Sequence, residues 1–225
     1  MTVKPDIITG CKDFLTILWS GTISANQETR ELPTYPAGAS PSTYSTNMEK
    51  IHSTTVLAIL HDGQVAIGAD GQATMGNTVA KSNVRKIRKL SNGKVVVGFA
   101  GSTADAFSLM ERFEEKLGAY GGNMKRAAIE LAKDWRTDRY LRRLEAMLIA
   151  ASKEELLVVS GTGDVLEPDN GIASIGSGSM FAQSAATALK KHAPHMTAEE
   201  MVTESLHIAA DICIYTNHNL VIEKL

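Results

Sequence analysis

Two short apolar segments joined by an Asp-Gly dipeptide constrain the fold of this chain most. They are residues 54–60 and Gln64–Asp70, with Asp62-Gly63 between them. Asp-Gly at this place is a strong β-hairpin signal, because a tight hairpin turn needs positive φ angles that these residues tolerate. Residues 85–90 and 94–100 form a similar pair around an Asn-Gly dipeptide. The sequence therefore predicts antiparallel strands in pairs.

Apolar residues at helical spacing follow these strands. Ser102 and Asp105 resemble a capping box, Gly121-Gly122 ends the first helix, and a second begins near Asn123. The predicted buried faces are Ala106, Met110, Phe113 and Leu117 in the first helix, and Met124, Ala128, Leu131 and Trp135 in the second.

The second half of the chain also has strands before helices. Strands are predicted on both sides of residues 153–155 and 161–163, at Ile172–Gly176, and finally at residues 220–222. A capping box at Thr197 and Glu200 predicts the start of the last helix. The predicted buried faces of the two later helices are Phe181, Ala185 and Leu189, and Met201, Ile208 and Ile212.

This order of elements indicates the α+β class. The unbroken apolar run Val95-Val96-Val97 predicts a strand that is buried on both faces. Two stacked antiparallel sheets with a helix pair on each outer face would bury every apolar face. We therefore expect a four-layer αββα sandwich.

Composition excludes several classes of function. The net charge of −2 does not favour a nucleic acid or an anionic membrane as partner, and no apolar run approaches the roughly 18 residues of a membrane span. Cys11 and Cys213 have no metal-ligand spacing, and two unrelated thiols suit a reducing, cytoplasmic location. The six histidines form no recognisable pair.

Residues 1–53 differ from the rest of the chain. Residues 27–45 are rich in Pro, Ser and Thr and have no hydrophobic period, so we expect disorder. Three interpretations are open: a pro-segment, a weak targeting segment, or sequence upstream of a true start at Met48. The last is favoured, and residues 54–225 are then the working domain.

Eight short stretches from Thr54 onward occur in an order that is typical of one family. They are Thr54-Thr55 and residues 68–72 (GADGQ), 76–78 (GNT), 85–86 (RK), 98–101 (GFAG), 133–138 (KDWRTD), 175–178 (IGSG) and 211–217 (DICIYTN). Together they resemble the HslV (ClpQ) peptidase family, the bacterial relatives of proteasome β-subunits. The resemblance covers residues 54–225 and implies the αββα sandwich of N-terminal-nucleophile hydrolases, in agreement with the predicted layers.

The resemblance implies that Thr54 is the nucleophile of a threonine endopeptidase. A threonine hydroxyl is a weak nucleophile that needs a base, and a chain that begins at Thr54 supplies its own α-amine, with an ordinary pKa of about 8. Asp70 and Lys86 match the family's aspartate and lysine in type and order. Lys86 would favour the alkoxide, and Asp70 would hold Lys86 charged and oriented.

Two further residues have implied catalytic roles. Gly101 would donate its backbone N–H to the oxyanion near a helix start, where the helix dipole favours negative charge. Ser177 would support the amine of the nucleophile through a hydrogen bond. Thr55 and Ser53 are weaker candidates for the nucleophile itself.

The family also implies an ion and partners. The backbone carbonyls of Ala210, Cys213 and Thr216 match the positions that hold a sodium ion, although the family usually has glycine where this chain has Ala210. The implied assembly is a double-hexamer dodecamer served by an HslU (ClpY)-type ATPase ring, which would deliver unfolded protein substrates. This chain has no phosphate-binding Gly-rich loop, so ATP use would belong to the partner.

One departure from the family concerns the exposure of Thr54. In most relatives the nucleophile follows the initiator Met directly, whereas residues 48–53 still precede Thr54 here. Either Thr54 attacks the carbonyl of Ser53 and the chain cleaves itself, or another protease trims it. If neither occurs, the alternative is a catalytically silent ring subunit. A hydrolase of small amides is a third interpretation.

Overall fold

The computed structural model describes residues 54–101, 103–139, 141 and 146–225. The strands are β1 Thr55–His61, β2 Gln64–Asp70, β3 Ala73–Met75, β4 Thr78–Lys81, β5 Ile87–Leu90, β6 Val95–Ala100, β7 Met147–Ala151, β8 Leu156–Ser160, β9 Val165–Leu166, β10 Ile172–Gly176 and β11 Leu220–Lys224. The helices are α1 Thr103–Ala119, α2 Met124–Thr137, α3 Ser179–His192 and α4 Ala198–Ile212. The predicted extension 1–53 and Ser102 lie outside the described residues.

Two antiparallel sheets form the centre of the described chain. One has the strand order β10-β1-β2-β11 and the other the order β5-β6-β7-β8-β9, while β3 and β4 form a separate hairpin. The helices α3 and α4 pack on the first sheet, and α1 and α2 pack on the second. The predicted αββα order of layers is therefore confirmed.

Alternation along single strands explains why both faces of each sheet are buried. Val56 and Ala58 of β1 face the second sheet, whereas Leu57 and Ile59 pack against the helices α3 and α4. In β6, Val96 lies between the sheets, while its neighbours on either side face α1 and α2. Successive side chains of a strand point to opposite faces, so an unbroken apolar run suits a strand between two apolar layers.

The predicted turns and first helix pair agree with the structure. Asp62 and Gly63 have φ of 48° and 71°, and the turn pairs His61 with Gln64. A short 3₁₀ turn, Ser91–Gly93, joins β5 to β6. The eight residues predicted to line the buried faces of the first two helices are all buried.

The predicted buried faces of the later helices were partly wrong. In α3 the buried residues are Ala182 and Ala186, one position after the predicted Phe181 and Ala185. In α4 Met201 is buried, but Ile208 and Ile212 are 39% and 55% exposed. Each helix has apolar residues on adjacent rows, and spacing alone does not show which row faces the sheet. Ala182 and Ala186 belong to the buried cluster between the first sheet and the helices α3 and α4.

The contribution of the α1 core can be tested with two phenylalanines of that helix. Phe113 is fully buried and Phe107 is 47% exposed. We expect Phe113→Ala to lower the free energy of unfolding by about 3–5 kcal/mol, because it removes a large side chain and leaves a cavity. The matched variant Phe107→Ala should cost less than about 1 kcal/mol. Denaturant unfolding measures both, and equal losses would contradict the assigned core face.

Candidate active site

Thr54 immediately precedes β1 and is 4% exposed. Its carbonyl oxygen accepts a hydrogen bond of 2.8 Å from the backbone N–H of Ser177. Gly176 has a φ of +95°, and a Cβ added there would collide with the carbonyl of Thr54. The end of β10 therefore requires glycine on two grounds, its backbone conformation and its close approach to Thr54.

Asp70 and Lys86 form a buried ion pair beside this strand end. Asp70 ends β2 and is fully buried, and Lys86 precedes β5 and is 2% exposed. Lys86 Nζ lies 2.9 Å from Asp70 Oδ1. The same oxygen accepts a 2.8 Å hydrogen bond from the backbone N–H of Thr55. One carboxylate oxygen thus connects Lys86 to the residue that follows Thr54.

The remaining bonds of this pair fix its position. Lys86 Nζ also donates to the carbonyl oxygen of Gln72 at 2.6 Å. Asp70 Oδ2 accepts from the backbone N–H of Gln72 at 2.8 Å and from that of Asn217 at 3.4 Å. No role for Gln72 or Asn217 follows from the sequence, although both lie in the stretches that resemble the family.

Burial and pairing act on Lys86 in opposite directions. Burial lowers the pKa of the Lys86 ammonium below its ordinary value of 10.5, because removal from water disfavours the charged form. The nearby Asp70 carboxylate raises the pKa, through charge attraction and a hydrogen bond, and so offsets part of the decrease. A buried charge of this kind is stable only while its partner remains, and loss of one partner typically costs about 3–5 kcal/mol.

Gly101 lies between the end of β6 and α1, and its φ is +137°. Its neighbour Ala100 lies close to Gly176. A Cβ added to Gly176 would be in van der Waals contact with Ala100 Cβ, at 3.4 Å. Gly176 also contacts Thr54, so Gly101 follows a residue, Ala100, that is separated from Thr54 by Gly176. The N-terminal end of α1 follows, where partial positive charge favours an anion.

Ser177 contacts Thr54 through its backbone rather than its side chain. Its N–H binds the Thr54 carbonyl, while the residue as a whole is exposed. The structure thus brings Ser177 to the predicted nucleophile. The side-chain role that the family resemblance implies for Ser177 stays a prediction.

Thr55 makes contacts that the sequence does not indicate. Its Oγ1 lies 2.7 Å from Thr216 Oγ1 and accepts a 2.9 Å hydrogen bond from the backbone N–H of Gly178. The sequence places two threonines side by side, and their neighbours in space come from residues more than 120 positions away. Local pattern therefore carried no signal for the role of Thr55.

The predicted sodium ligands lie at the C-terminal end of α4. Ala210 is in the last turn of the helix, where carbonyls lack intrahelical partners and the helix dipole favours a cation. The Cys213 carbonyl accepts the Thr216 N–H at 3.0 Å and keeps a second lone pair.

The chemistry of this turn suits a sodium ion. Carbonyl oxygens are hard donors, as a hard cation prefers. In the described chain, residues other than glycine with positive φ are Asp62, Ser91 and Asn92, so alanine at position 210 introduces no backbone strain. Cys213 has a buried free thiol, and no group of three or more metal-ligating side chains occurs among the described residues.

Two histidines lie together in the structure, although sequence spacing does not indicate the pair. His207 Nδ1 lies 3.0 Å from His218 Nδ1, and the two rings stack with centroids 5.2 Å apart. His218 Nε2 lies 3.2 Å from Asp211 Oδ1. Eleven residues separate the two histidines in sequence, and the turn after α4 brings them together.

The fold is that of a proteasome-type peptidase. The sequence profile described as "Proteasome subunit" matches residues 51–225, and the chain belongs to this family. It is 77% identical over 176 residues to the ATP-dependent protease subunit HslV of Cytophaga hutchinsonii, covering 78% of this chain and 98% of the relative. The resemblance to HslV found in the sequence is therefore confirmed, and the chain is a peptidase subunit.

Solved structures agree with this assignment. The crystal structure of eukaryotic HslV from Trypanosoma brucei matches with a TM-score of 0.73 and 46% identity, over 76% of this chain and 98% of that one. Thiobacillus denitrificans BPH in complex with epoxomicin matches with a TM-score of 0.59 and 21% identity, over 76% of this chain and 97% of that one. The second match supports the fold alone.

The close approach of Gly176 to Thr54 gives a testable difference between two glycines. Gly176 and Gly163 have φ of +95° and +92°, but a Cβ on Gly163 would meet nothing nearer than 3.3 Å. Both Gly→Ala variants acquire backbone strain, and only Gly176→Ala adds a collision with backbone. We expect Gly176→Ala to lose roughly 2 kcal/mol more unfolding free energy than Gly163→Ala. Equal losses in denaturant unfolding would contradict the assigned contact.

Proposed function

We propose that this chain is a threonine endopeptidase and the proteolytic subunit of an ATP-dependent protein-degrading complex. The observation that carries the proposal is the position of Asp70 Oδ1, which binds both Lys86 Nζ at 2.9 Å and the Thr55 N–H at 2.8 Å. This carboxylate places a buried cation at the strand end where Thr54 lies. Similarity to proteins named ATP-dependent protease subunit HslV supports the same function.

The proposed reaction begins after the Ser53–Thr54 bond has been broken. The α-amine of Thr54 accepts the proton of Thr54 Oγ1, and that oxygen attacks the carbonyl carbon of the substrate peptide bond. The Gly101 N–H stabilises the oxyanion, and the Lys86 ammonium stabilises developing negative charge at Oγ1. Collapse breaks the C–N bond, and the amine product leaves with the proton from the α-amine.

An ester between Thr54 Oγ1 and the substrate acyl group remains. The neutral α-amine then accepts a proton from water, and the resulting hydroxide attacks the ester carbonyl. The second tetrahedral intermediate releases the carboxylic acid product and returns the proton to Thr54 Oγ1. Each step uses the same amine as base and then as acid, so the reaction needs no histidine.

Exposure of Thr54 is a condition of this mechanism. Attack of Thr54 Oγ1 on the Ser53 carbonyl would form an ester and release the Thr54 nitrogen as an amine, after which water would free residues 1–53. Trimming by another protease would give the same terminus. The alternative function, a catalytically silent ring subunit, follows if Thr54 keeps its upstream residues.

The proposal includes an assembly, a location and an ion. The partner would be an HslU (ClpY)-type ATPase ring, the subunits would form a double-hexamer dodecamer, and unfolded proteins would be the substrates. A cytoplasmic location suits the buried free thiol of Cys213. In the described part of the chain, no helix is both long and apolar enough to cross a membrane.

The carbonyls of Ala210, Cys213 and Thr216 would hold the sodium ion. When bound, the ion supplies a fixed positive charge that orders the turn after α4. This chain's own residues, through Asn217 and Thr216, connect that turn to Asp70 and Thr55.

Replacement of Thr54 tests the assigned nucleophile. Thr54→Val keeps the shape of the side chain and removes the hydroxyl, so hydrolysis of a fluorogenic peptide should fall by roughly 10³-fold or more. Thr54→Ser keeps a hydroxyl and should retain measurable hydrolysis. Gel filtration of both variants should show the assembly of the wild type, and activity of Thr54→Val near the wild-type value would refute the assignment.

The mature mass distinguishes the enzyme from the silent subunit. Mass spectrometry of the purified wild-type protein should give a chain that begins at Thr54. A mass that corresponds to residues 1–225 or 48–225, with no peptide hydrolysis, would support the silent subunit instead.

A further inference from the structure

Two threonine hydroxyls meet in the interior beside Thr54. Thr55 is fully buried and Thr216 is 4% exposed, and their Oγ1 atoms are 2.7 Å apart. They come from the first residue of β1 and from the turn after α4, 161 positions apart in sequence. A bond between two buried hydroxyls fixes the side-chain rotamers on both sides, because each group would lose a partner by turning away.

Gly178 packs against both hydroxyls of this pair. Its N–H donates to Thr55 Oγ1 at 2.9 Å. A Cβ at position 178 would collide with Thr55 Oγ1 and lie 2.7 Å from Thr216 Oγ1. The two hydroxyls are therefore closely packed where β1, the start of α3 and the turn after α4 meet.

The turn that carries Thr216 is itself anchored. The Thr216 N–H donates to the Cys213 carbonyl at 3.0 Å. Asn217 Oδ1 accepts the Gly71 N–H at 3.2 Å, and Asn217 Nδ2 donates to the Ser82 carbonyl at 3.0 Å. These bonds join the turn to the segments that flank the β3–β4 hairpin, so Thr216 gives Thr55 a fixed point of contact.

A free Thr54 depends on such support. A chain terminus frays unless it is held by hydrogen bonds or packing. Once residues 1–53 have been removed, Thr54 is held through its carbonyl, which Ser177 binds, and through Thr55, whose N–H binds Asp70. These bonds fix the peptide unit between Thr54 and Thr55. The Thr55 hydroxyl, through Thr216 and Gly178, fixes the side chain of Thr55 itself.

We propose that Thr55 and Thr216 form a positioning pair that holds the Thr54 nucleophile against Asp70 and Lys86. This inference rests on the proposed function, because it assigns to the pair an effect on turnover at Thr54. Both residues are buried, and the role assigned to them is positioning. Their contribution is to keep Thr54 Oγ1 within attacking distance, where a displacement of about 1 Å can cost on the order of 10²-fold in rate.

Thr216→Val is the most direct test, because it removes the hydroxyl and preserves the side-chain shape. We expect kcat for a fluorogenic peptide to fall by about 10-fold or more, with KM changed less than about threefold, since positioning affects the attack rather than substrate binding. Thr216→Ser keeps the hydroxyl and should retain kcat within about threefold. Thr55→Val should lose at least as much as Thr216→Val, because it also leaves the Gly178 N–H without its acceptor.

The double variant tests whether the two hydroxyls act as one unit. Thr55→Val with Thr216→Val should be no slower than Thr55→Val alone, because the shared bond is already lost. Thr203→Val is the matched control, since the Thr203 hydroxyl binds only the Glu199 carbonyl within α4 and should leave kcat unchanged. All variants are compared in the assembled state. Mass spectrometry first shows that each mature chain begins at residue 54. A variant that is not processed is produced behind a fusion partner that a specific protease removes before Thr54.

Wild-type kcat in Thr216→Val, or equal losses in Thr216→Val and Thr216→Ser, would overturn the positioning pair. The first result would show that the bond is not needed, and the second that side-chain size rather than the hydroxyl matters. Failure of the proposed function gives a different pattern, in which Thr54→Val remains active.

Discussion

The buried carboxylate of Asp70 is the interaction on which the rest of this site depends. It accepts hydrogen bonds from the Lys86 ammonium and from the backbone N–H groups of Thr55, Gln72 and Asn217. A charge that is fully removed from water requires partners of this number and kind. The same requirement brings β1, β2, the segment before β5 and the turn after α4 to one point.

Close packing imposes a second constraint at the same point. Gly176 and Gly178 stand on either side of Ser177, and a side chain at either would collide with Thr54 or with the hydroxyls of Thr55 and Thr216. The Gly-Ser-Gly sequence is therefore explained by what lies opposite each residue. Electrostatic pairing fixes one side of the Thr54–Thr55 peptide unit, and steric fit fixes the other.

Much of the fold could be predicted from sequence because local signals agreed with tertiary packing. Asp62-Gly63 predicted its turn, and the apolar spacing of α1 and α2 predicted their buried faces. In α4, by contrast, Ile208 and Ile212 follow the same spacing but are exposed, because Val202, Leu206 and Ala209 face the sheet instead.

Of the site, the family resemblance indicated Thr54, Asp70 and Lys86. The role of Thr55 depends on Thr216, a contact between distant parts of the chain that no local pattern encodes.

The contacts described above for Thr54 lie on the C-terminal side of its α-carbon or on the residue that follows. Its carbonyl binds Ser177, and Thr55 binds Asp70, Gly178 and Thr216. These bonds are present while Thr54 is still joined to Ser53, so they do not require a free terminus. Cleavage would then convert an amide nitrogen, which is not basic, into an amine that can accept the proton of Oγ1. On this account the surrounding protein is organised before cleavage, and breaking one peptide bond supplies the base that the mechanism still needs.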